Sequence, residues 1–332
     1  MIDCYGSLIH MVDHIAPIYN ALPEGMKGRF YSSNKMVQAQ AALYGITCQN
    51  LQSSRPIGTS PIMVASIGDV RHCGPTKRPV ILVEHGIGLH FTGPHVTNHP
   101  SYPGGTGIRL QVELILSTNQ QAADEELAVN KGNHRRVVVV GAPKLDAFAN
   151  LPPSTNTSPI LSYATHWDCH CCPETRSAFY HYKDILNIIS KIYPTLGHAH
   201  PRWKELIYSR YSKLGMSPQK RFTSILTKAD LLMGDCGSAI YEFAYTNKPV
   251  VVLNCPLYRR NFRHGLRFWD YIPGIQCNDP DDLLSCVETA LADPPNLKLL
   301  RQQAIDYAYP NRGCATQVAI KAILDWSSDN GY

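Results

Sequence analysis

The chain has 332 residues, with 31 Lys plus Arg against 26 Asp plus Glu for a formal net charge of +5, and 44% of its residues are hydrophobic. That length is about twice a usual domain, and the apolar share is enough for two packed cores, so general disorder is excluded. Only 17% of residues are charged, no run approaches the roughly 18 apolar residues of a membrane span, and Met1-Ile2-Asp3-Cys4-Tyr5 lacks the basic flank and apolar core of a secretory signal. These features describe a mildly basic cytoplasmic protein that tolerates an anionic partner without requiring one.

In chain order, the first predicted element is a helix over Ser7–Leu22, with Ser7 as its cap and apolar Leu8, Met11, Ile15 and Ile18 at helical spacing. Continuous apolar runs follow at Ile62–Ile67, Pro79–Glu84, Val112–Ser117 and Arg136–Val140. Such runs, rather than alternating ones, fit strands buried on both faces of a parallel sheet. The segment 150–159, rich in proline and small polar residues, has no period of its own and reads as a linker. Beyond it come strands at Ile160–Thr165, Leu196–His200, Leu231–Met233 and Pro249–Leu253, with helices over Ala178–Tyr193 and Asp281–Ala292, the latter capped by Asp281. The alternation predicts an α/β protein of two parallel-sheet lobes, residues 1–150 and 151–332, with the carboxyl ends of both sheets facing a shared cleft.

Three clusters at predicted strand ends carry residue types suited to chemistry. Glu84-His85-Gly86-Ile87-Gly88 follows a buried strand. There His85 is a candidate general base for an acceptor hydroxyl, while the glycines permit a tight turn. Gly197-His198-Ala199-His200-Pro201-Arg202 ends a strand of the second half. His198 and His200, two residues apart, share a strand face, and Arg202 offers planar bidentate donors to a diphosphate. Asp235-Cys236-Gly237-Ser238 forms the turn of a strand–turn–helix segment, with Ser238 near the helix start and Glu242 one turn further on. Glu242 is placed to hold a ribose or substrate hydroxyl. Gly141-Ala142-Pro143-Lys144-Leu145-Asp146 is a similar turn.

Two further segments stand out by composition. The 11 cysteines are an odd number and scattered, as in a reduced intracellular chain, apart from a dense stretch around Cys169–Cys172. That stretch has no second ligand pair at zinc spacing, so no metal site is assigned. Basic residues gather at Arg259, Arg260, Arg263, His264 and Arg267 among Tyr258, Phe262, Phe268 and Trp269. This pattern suits a surface that meets a polyanion.

The order of the segments VEHGIG, GAPKLDAF, ILSYATHW, HAHPR and ADLLMGDCGSAIYEFAYTNKPVVVLNCP resembles the CDP-glycerol glycerophosphotransferase family of wall teichoic acid synthesis. The resemblance runs from about His85 to the C-terminus and is most specific in the last segment. It implies a glycosyltransferase B-type fold of two Rossmann-like lobes, with the donor nucleotide held mainly by the second. It places the family's catalytic histidine on His85, its second essential histidine on His200, and its donor-phosphate turn on Asp235–Ser238. Thr165 and Lys144 join Arg202, Asp235, Gly237, Ser238 and Glu242 on the donor side, and Gly86, Gly88, His90, Arg260 and Arg263 fall on the acceptor side. The family needs no bound metal for its chemistry, so no cofactor is expected. The chain departs from the family pattern at Ile87-Gly88-Leu89-His90, where Thr-Pro-Leu-Lys is usual. It departs again at Gly237-Ser238 in place of Ser-Ser, and at Ala164-Thr165-His166-Trp167 in place of Ala-Pro-Thr-Trp.

The expected function is transfer of glycerol phosphate or a sugar from a CDP- or UDP-linked donor to an acceptor hydroxyl. The acceptor is anionic or a glycan, with nucleic acid such as modified DNA among the options, and peripheral contact with a membrane stays open. A nucleotide-sugar 2-epimerase shares the two-lobed architecture but calls for paired carboxylates that do not stand out. A non-catalytic polyanion-binding module is the alternative outside enzymes.

Overall fold

The computed structural model describes the chain apart from residues 52–57, 74–77, 88–110, 130–135, 167–175, 201–202, 236 and 259–270, and the side chains at 73, 129, 204 and 205. The contacts divide it into two units. One takes the described residues up to Ala147 together with Tyr309–Tyr332, and the other is Phe148–Ala308.

The first unit runs β1 (Ile2–Tyr5), α1 (Ile9–Ala21), β2 (Lys27–Ser32), α2 (Lys35–Ala42), β3 (Cys48–Asn50), β4 (Ile62–Val64), α3 (Ile67–Val70), β5 (Val80–Val83), β6 (Val112–Ser117), α4 (Gln120–Val129) and β7 (Arg136–Val139). Its seven strands lie in the order β3-β2-β1-β4-β5-β6-β7, with every pairing parallel. The second unit runs β8 (Leu161–Thr165), α5 (Phe179–Ile192), β9 (Thr195–Ala199), α6 (Lys204–Lys213), β10 (Ser217–Pro218), α7 (Phe222–Lys228), β11 (Leu231–Gly234), α8 (Ala239–Ala244), β12 (Val250–Leu253), β13 (Ile275–Cys277), α9 (Leu283–Ala292) and α10 (Pro295–Ala308). Its six parallel strands are ordered β10-β9-β8-β11-β12-β13. Counted from its own first strand, this is the 3-2-1-4-5-6 order of the Rossmann fold, and the first unit shows the same order with a seventh strand added. The α/β class and the Rossmann-like character of both lobes therefore hold.

Continuous burial explains the strands that were legible. All residues of β5, β8, β11 and β12 are buried, as strands covered by helices on both faces require. The strands absent from the sequence reading are short or carry polar residues. β1 contains buried Asp3, which accepts from the Arg29 backbone N–H at 2.7 Å and pairs with buried Arg78. β2 opens on Lys27-Gly28-Arg29, and β3, β10 and β13 have three residues or fewer.

Two expected caps differ from those found. Ser7 does not cap α1, whose N-cap is Leu8; its hydroxyl instead donates to Asp69. Asp281 does not cap α9; Asp279 accepts from the Asp281 N–H at 3.0 Å and opens a short 3-10 turn ahead of that helix.

The lobe boundary differs at the C-terminus. The final helix, α11 (Ala315–Asn330), packs in the first unit, where Ala319, Ala322, Ile323 and Trp326 join the core formed by α1, β1 and β6. The sequence reading had left the whole of 151–332 in the second lobe. The turn at Gly141–Asp146 explains the return. Asp146 accepts from the backbone N–H groups of Ala315 (3.1 Å) and Thr316 (2.7 Å), which leave the first turn of α11 without helical partners. Gly141 has φ +88°, and a Cβ there would lie 2.1 Å from the Pro310 carbonyl oxygen, so only glycine fits.

Candidate active-site residues

In both sheets the strand order reverses beside the first strand, and ligands of such folds bind at the carboxyl ends of the strands there. In the first unit, β5 ends directly before Glu84 and His85. Glu84 is buried and accepts from the Ser117 hydroxyl at 2.6 Å. The Asn119 amide holds the next turn by donating to the Ile87 carbonyl at 2.8 Å, while its oxygen accepts from the Ala122 N–H at the start of α4. Gly86, with φ +70°, gives the chain its bend. The His85 loop is thus fixed by polar residues at the end of β6 and just beyond it.

His85 is accompanied by two histidines that the sequence reading did not single out. His10 and His14 are one turn apart on α1 and present their rings edge-on to His85, with centroids 6.3 and 5.7 Å away. Their four-residue spacing was the available signal. His14 is buried, and its pKa is held well below the usual value by burial, the Lys144 charge and its neighbouring histidines. His85 is exposed, yet desolvation by the protein around it is the main cause that lowers its pKa, to about 4. Its hydrogen bond to the Ala65 carbonyl opposes that shift and the Lys144 charge adds to it. With one ring N–H committed to Ala65, the other nitrogen of a neutral imidazole carries the lone pair a base needs. Lys144, expected on the donor side, lies in the first unit, and its charge acts on His14 and His85.

In the second unit Asp235 follows β11 and is 1% exposed. One carboxylate oxygen accepts from the His166 backbone N–H (2.7 Å), and the other from the Thr165 hydroxyl (2.9 Å), the Ser177 hydroxyl (3.1 Å) and the Ala178 N–H (3.2 Å). Burial pushes its carboxyl up to about 7 against these four bonds, each of which favours the ionised form. Asp235 and Thr165, both read as donor contacts, therefore spend these polar groups on each other and on the chain. Their observed role is to tie β8 and the start of α5 to β11.

His200 follows β9, and its backbone N–H donates to the Thr165 carbonyl at 3.2 Å. His198 bonds the Gln219 carbonyl through Nδ1 at 2.9 Å, and both histidines are half-buried, alternating with buried Gly197 and Ala199. Gly237 has φ +122°, Ser238 is the N-cap of α8, and Glu242 is buried on that helix. Arg202, Gly88, His90, Arg260, Arg263 and Cys169–Cys172 lie outside the described residues. Among the described residues, no group of three His, Cys, Asp or Glu is arranged to hold a metal ion, and no helix is long and apolar enough to cross a membrane.

No curated protein matches the chain. Solved structures align with it over nearly its whole length. A UDP-GlcNAc 2-epimerase from Neisseria meningitidis bound to UDP-GlcNAc has a TM-score of 0.65 at 13% identity, covering 98% of this chain and 99% of that one. The MnaA–UDP structure from S. aureus has a TM-score of 0.60 at 15% identity, covering 98% and 96%. The wall teichoic acid polymerase TagF, as a variant soaked with CDPG, has a TM-score of 0.64 at 13% identity, covering 100% and 89%. At these identities the likeness is one of fold, the two-lobed fold of glycosyltransferase B-type enzymes. The more specific finding lies almost entirely in the second unit. From the start of α5 to five residues past the end of that unit, residues 179–313 match the family of CDP-glycerol:poly(glycerophosphate) glycerophosphotransferases, which bears out the resemblance read from the motifs and supports a nucleotide-donor-dependent transferase.

Proposed function

We propose that the chain transfers glycerol phosphate from a CDP-linked donor to an acceptor hydroxyl, with His85 as general base and no metal in the chemical step. The observation that carries this reading is the family match over 179–313, which falls on the unit with the 3-2-1-4-5-6 sheet and includes His200 and the Asp235–Ser238 turn. The state of His85 agrees with the assignment, since it is neutral at pH 7 and has one nitrogen bonded to Ala65. His85 takes the acceptor's proton as the acceptor oxygen bonds to the phosphorus that bears glycerol. The bond from that phosphorus to the bridging oxygen breaks, and its electron pair leaves with the nucleoside monophosphate. If a sugar is the group moved, the same base serves an attack on the anomeric carbon and a nucleoside diphosphate leaves.

The test offers the chain CDP-glycerol, CDP-ribitol and UDP-sugars, with a teichoic-acid-like polyol phosphate, a glycan or DNA as acceptor, in the presence of a chelator. CMP release coupled to acceptor labelling is expected with CDP-glycerol. His85→Ala should lower transfer by about 10²–10⁴-fold while donor binding persists. The reading fails if no nucleotide-activated donor is bound or consumed. Conversion of UDP-GlcNAc without an acceptor would replace it with an epimerase.

A further inference from the structure

Asn119 lies between the end of β6 and the start of α4 and is 2% exposed. Its side-chain amide is used in two directions. The oxygen accepts from the Ala122 N–H at 2.9 Å, and the Asn119 backbone carbonyl accepts from the Ala123 N–H at 3.1 Å, which caps α4. The nitrogen donates to the Ile87 carbonyl at 2.8 Å, 32 residues back along the chain.

The turn that carries His85 is therefore anchored on both sides. Ahead of it, the Glu84 N–H donates to the Leu116 carbonyl at 3.0 Å, and the Glu84 carboxylate accepts from the Ser117 hydroxyl at 2.6 Å. Behind it, Asn119 holds buried Ile87. Only His85 and Gly86 lie between the anchors, and Gly86, with φ +70°, bends the chain there. A helix cap alone does not call for asparagine, since aspartate and serine cap about as well. The Ile87 carbonyl does call for it. Aspartate has no donor for a carbonyl and serine has one short hydroxyl, whereas asparagine carries an oxygen for the helix and a separate N–H₂ for the turn.

We propose that Asn119 is a positioning residue for His85, tying the turn that carries the imidazole to the first turn of α4. The proposal rests on the reading of His85 as general base. Asn119 touches neither the ring nor a substrate and acts through the backbone. The ring is held separately by its hydrogen bond to the Ala65 carbonyl, beyond β4. With both restraints in place the imidazole keeps one orientation toward an acceptor hydroxyl, and small displacements of such a group cost rate rather than binding.

Asn119→Ser and Asn119→Asp test this in the full chain, because each keeps a cap on α4 and removes the N–H donor to Ile87. Transfer from CDP-glycerol should lose about 10- to 100-fold in kcat, with the donor KM nearly unchanged. Proton NMR of the histidine rings, with His85 assigned by its absence in His85→Gln, gives a readout that needs no turnover. In the unsubstituted chain the His85 signals should hold steady from pH 5 to 8, since the ring is neutral there. In Asn119→Ser the loosened turn admits water, and the ring should titrate within that range. The groups whose charge or rings surround it, His10, His14, Glu84 and Lys144, are unaltered in that variant. Gln120→Ala, whose exposed amide serves only Asp124 on its own helix, should change neither readout. Thermal melts establish folding, and Asn119→Asp serves if Asn119→Ser is not folded. Unchanged kcat together with unchanged His85 signals in a folded variant overturns the positioning role alone. If the unsubstituted chain consumes no donor, the base reading falls, and the His85 titration by itself decides whether Asn119 sets the ring.

Discussion

A single buried aspartate does the same work in each unit. Asp69, after β4, accepts from the backbone N–H (3.2 Å) and hydroxyl of Ser7, which follows β1. Asp235, after β11, accepts from the backbone N–H of His166, which follows β8. Each carboxylate crosses the point where strand order reverses, the place at which two adjacent strands send their chains to opposite faces of the sheet. Burial raises both carboxyl pKa values against their hydrogen bonds. Sequence patterns exposed Asp235 because a glycine-rich turn surrounds it, but assigned its carboxylate to the ligand. Asp69 carried no such signal, because its partner is 62 residues away.

The His85 environment sets a pH dependence at this same scale. Its pKa lies below the ordinary 6.5, at about 4, so the base form persists through the neutral range and is lost only as acid is added past the depressed value. The acid limb of kcat/KM should therefore fall well below pH 6, toward pH 4. A limb centred near 6.5 would show that the environment described for His85 is not the one that operates in solution.

At the scale of elements, helices and strands were legible where burial is continuous and illegible where a buried polar group interrupts it. The runs forming β5, β6, β8, β11 and β12 have apolar residues on both faces. β1 was concealed by Asp3, whose partners Arg29 and Arg78 lie 26 and 75 residues on. Caps failed for a related reason. Ser7 and Asp281 occupy suitable positions in the sequence, but competing partners, Asp69 and Asp279, decide how their hydrogen-bonding groups are used. The turn at Gly141–Asp146 resembled an anion site and proved to be a cap for a helix about 170 residues later. Asp146→Ala should cost about 0.5–2 kcal/mol, the usual range for a lost cap. The loss should show in hydrogen exchange as faster exchange of amides in the first turn of α11. Unchanged protection there would remove Asp146 from that role.

For the whole molecule, the two-lobed organisation was legible from the linker and from the repetition of strand runs, whereas the course of the last 24 residues was not. Nothing local in Ala315–Asn330 says which apolar surface its buried face will meet, since both units offer one. On the first unit it is met by Gly141, Asp146 and an exposed pairing of Arg136 with Asp329 at 3.1 Å. Trp326 is the largest side chain that α11 adds to the first core. Trp326→Ala should destabilise the first unit by about 3–5 kcal/mol. Chemical denaturation should then become biphasic, with the first unit unfolding at the lower denaturant concentration. A single transition at the original midpoint would show that α11 adds little to that core.

The return of α11 also bears on how the chain is made. Domains usually fold in the order in which they leave the ribosome. Here the segment 148–308 has all its strands and helices before the first unit has its last helix. Until that helix arrives, Met11, Ile15 and Leu116 lack the apolar neighbours that Ile323 and Trp326 bring to their cluster. The half of the protein that begins synthesis first therefore lacks part of its core until residues 315–330 are made.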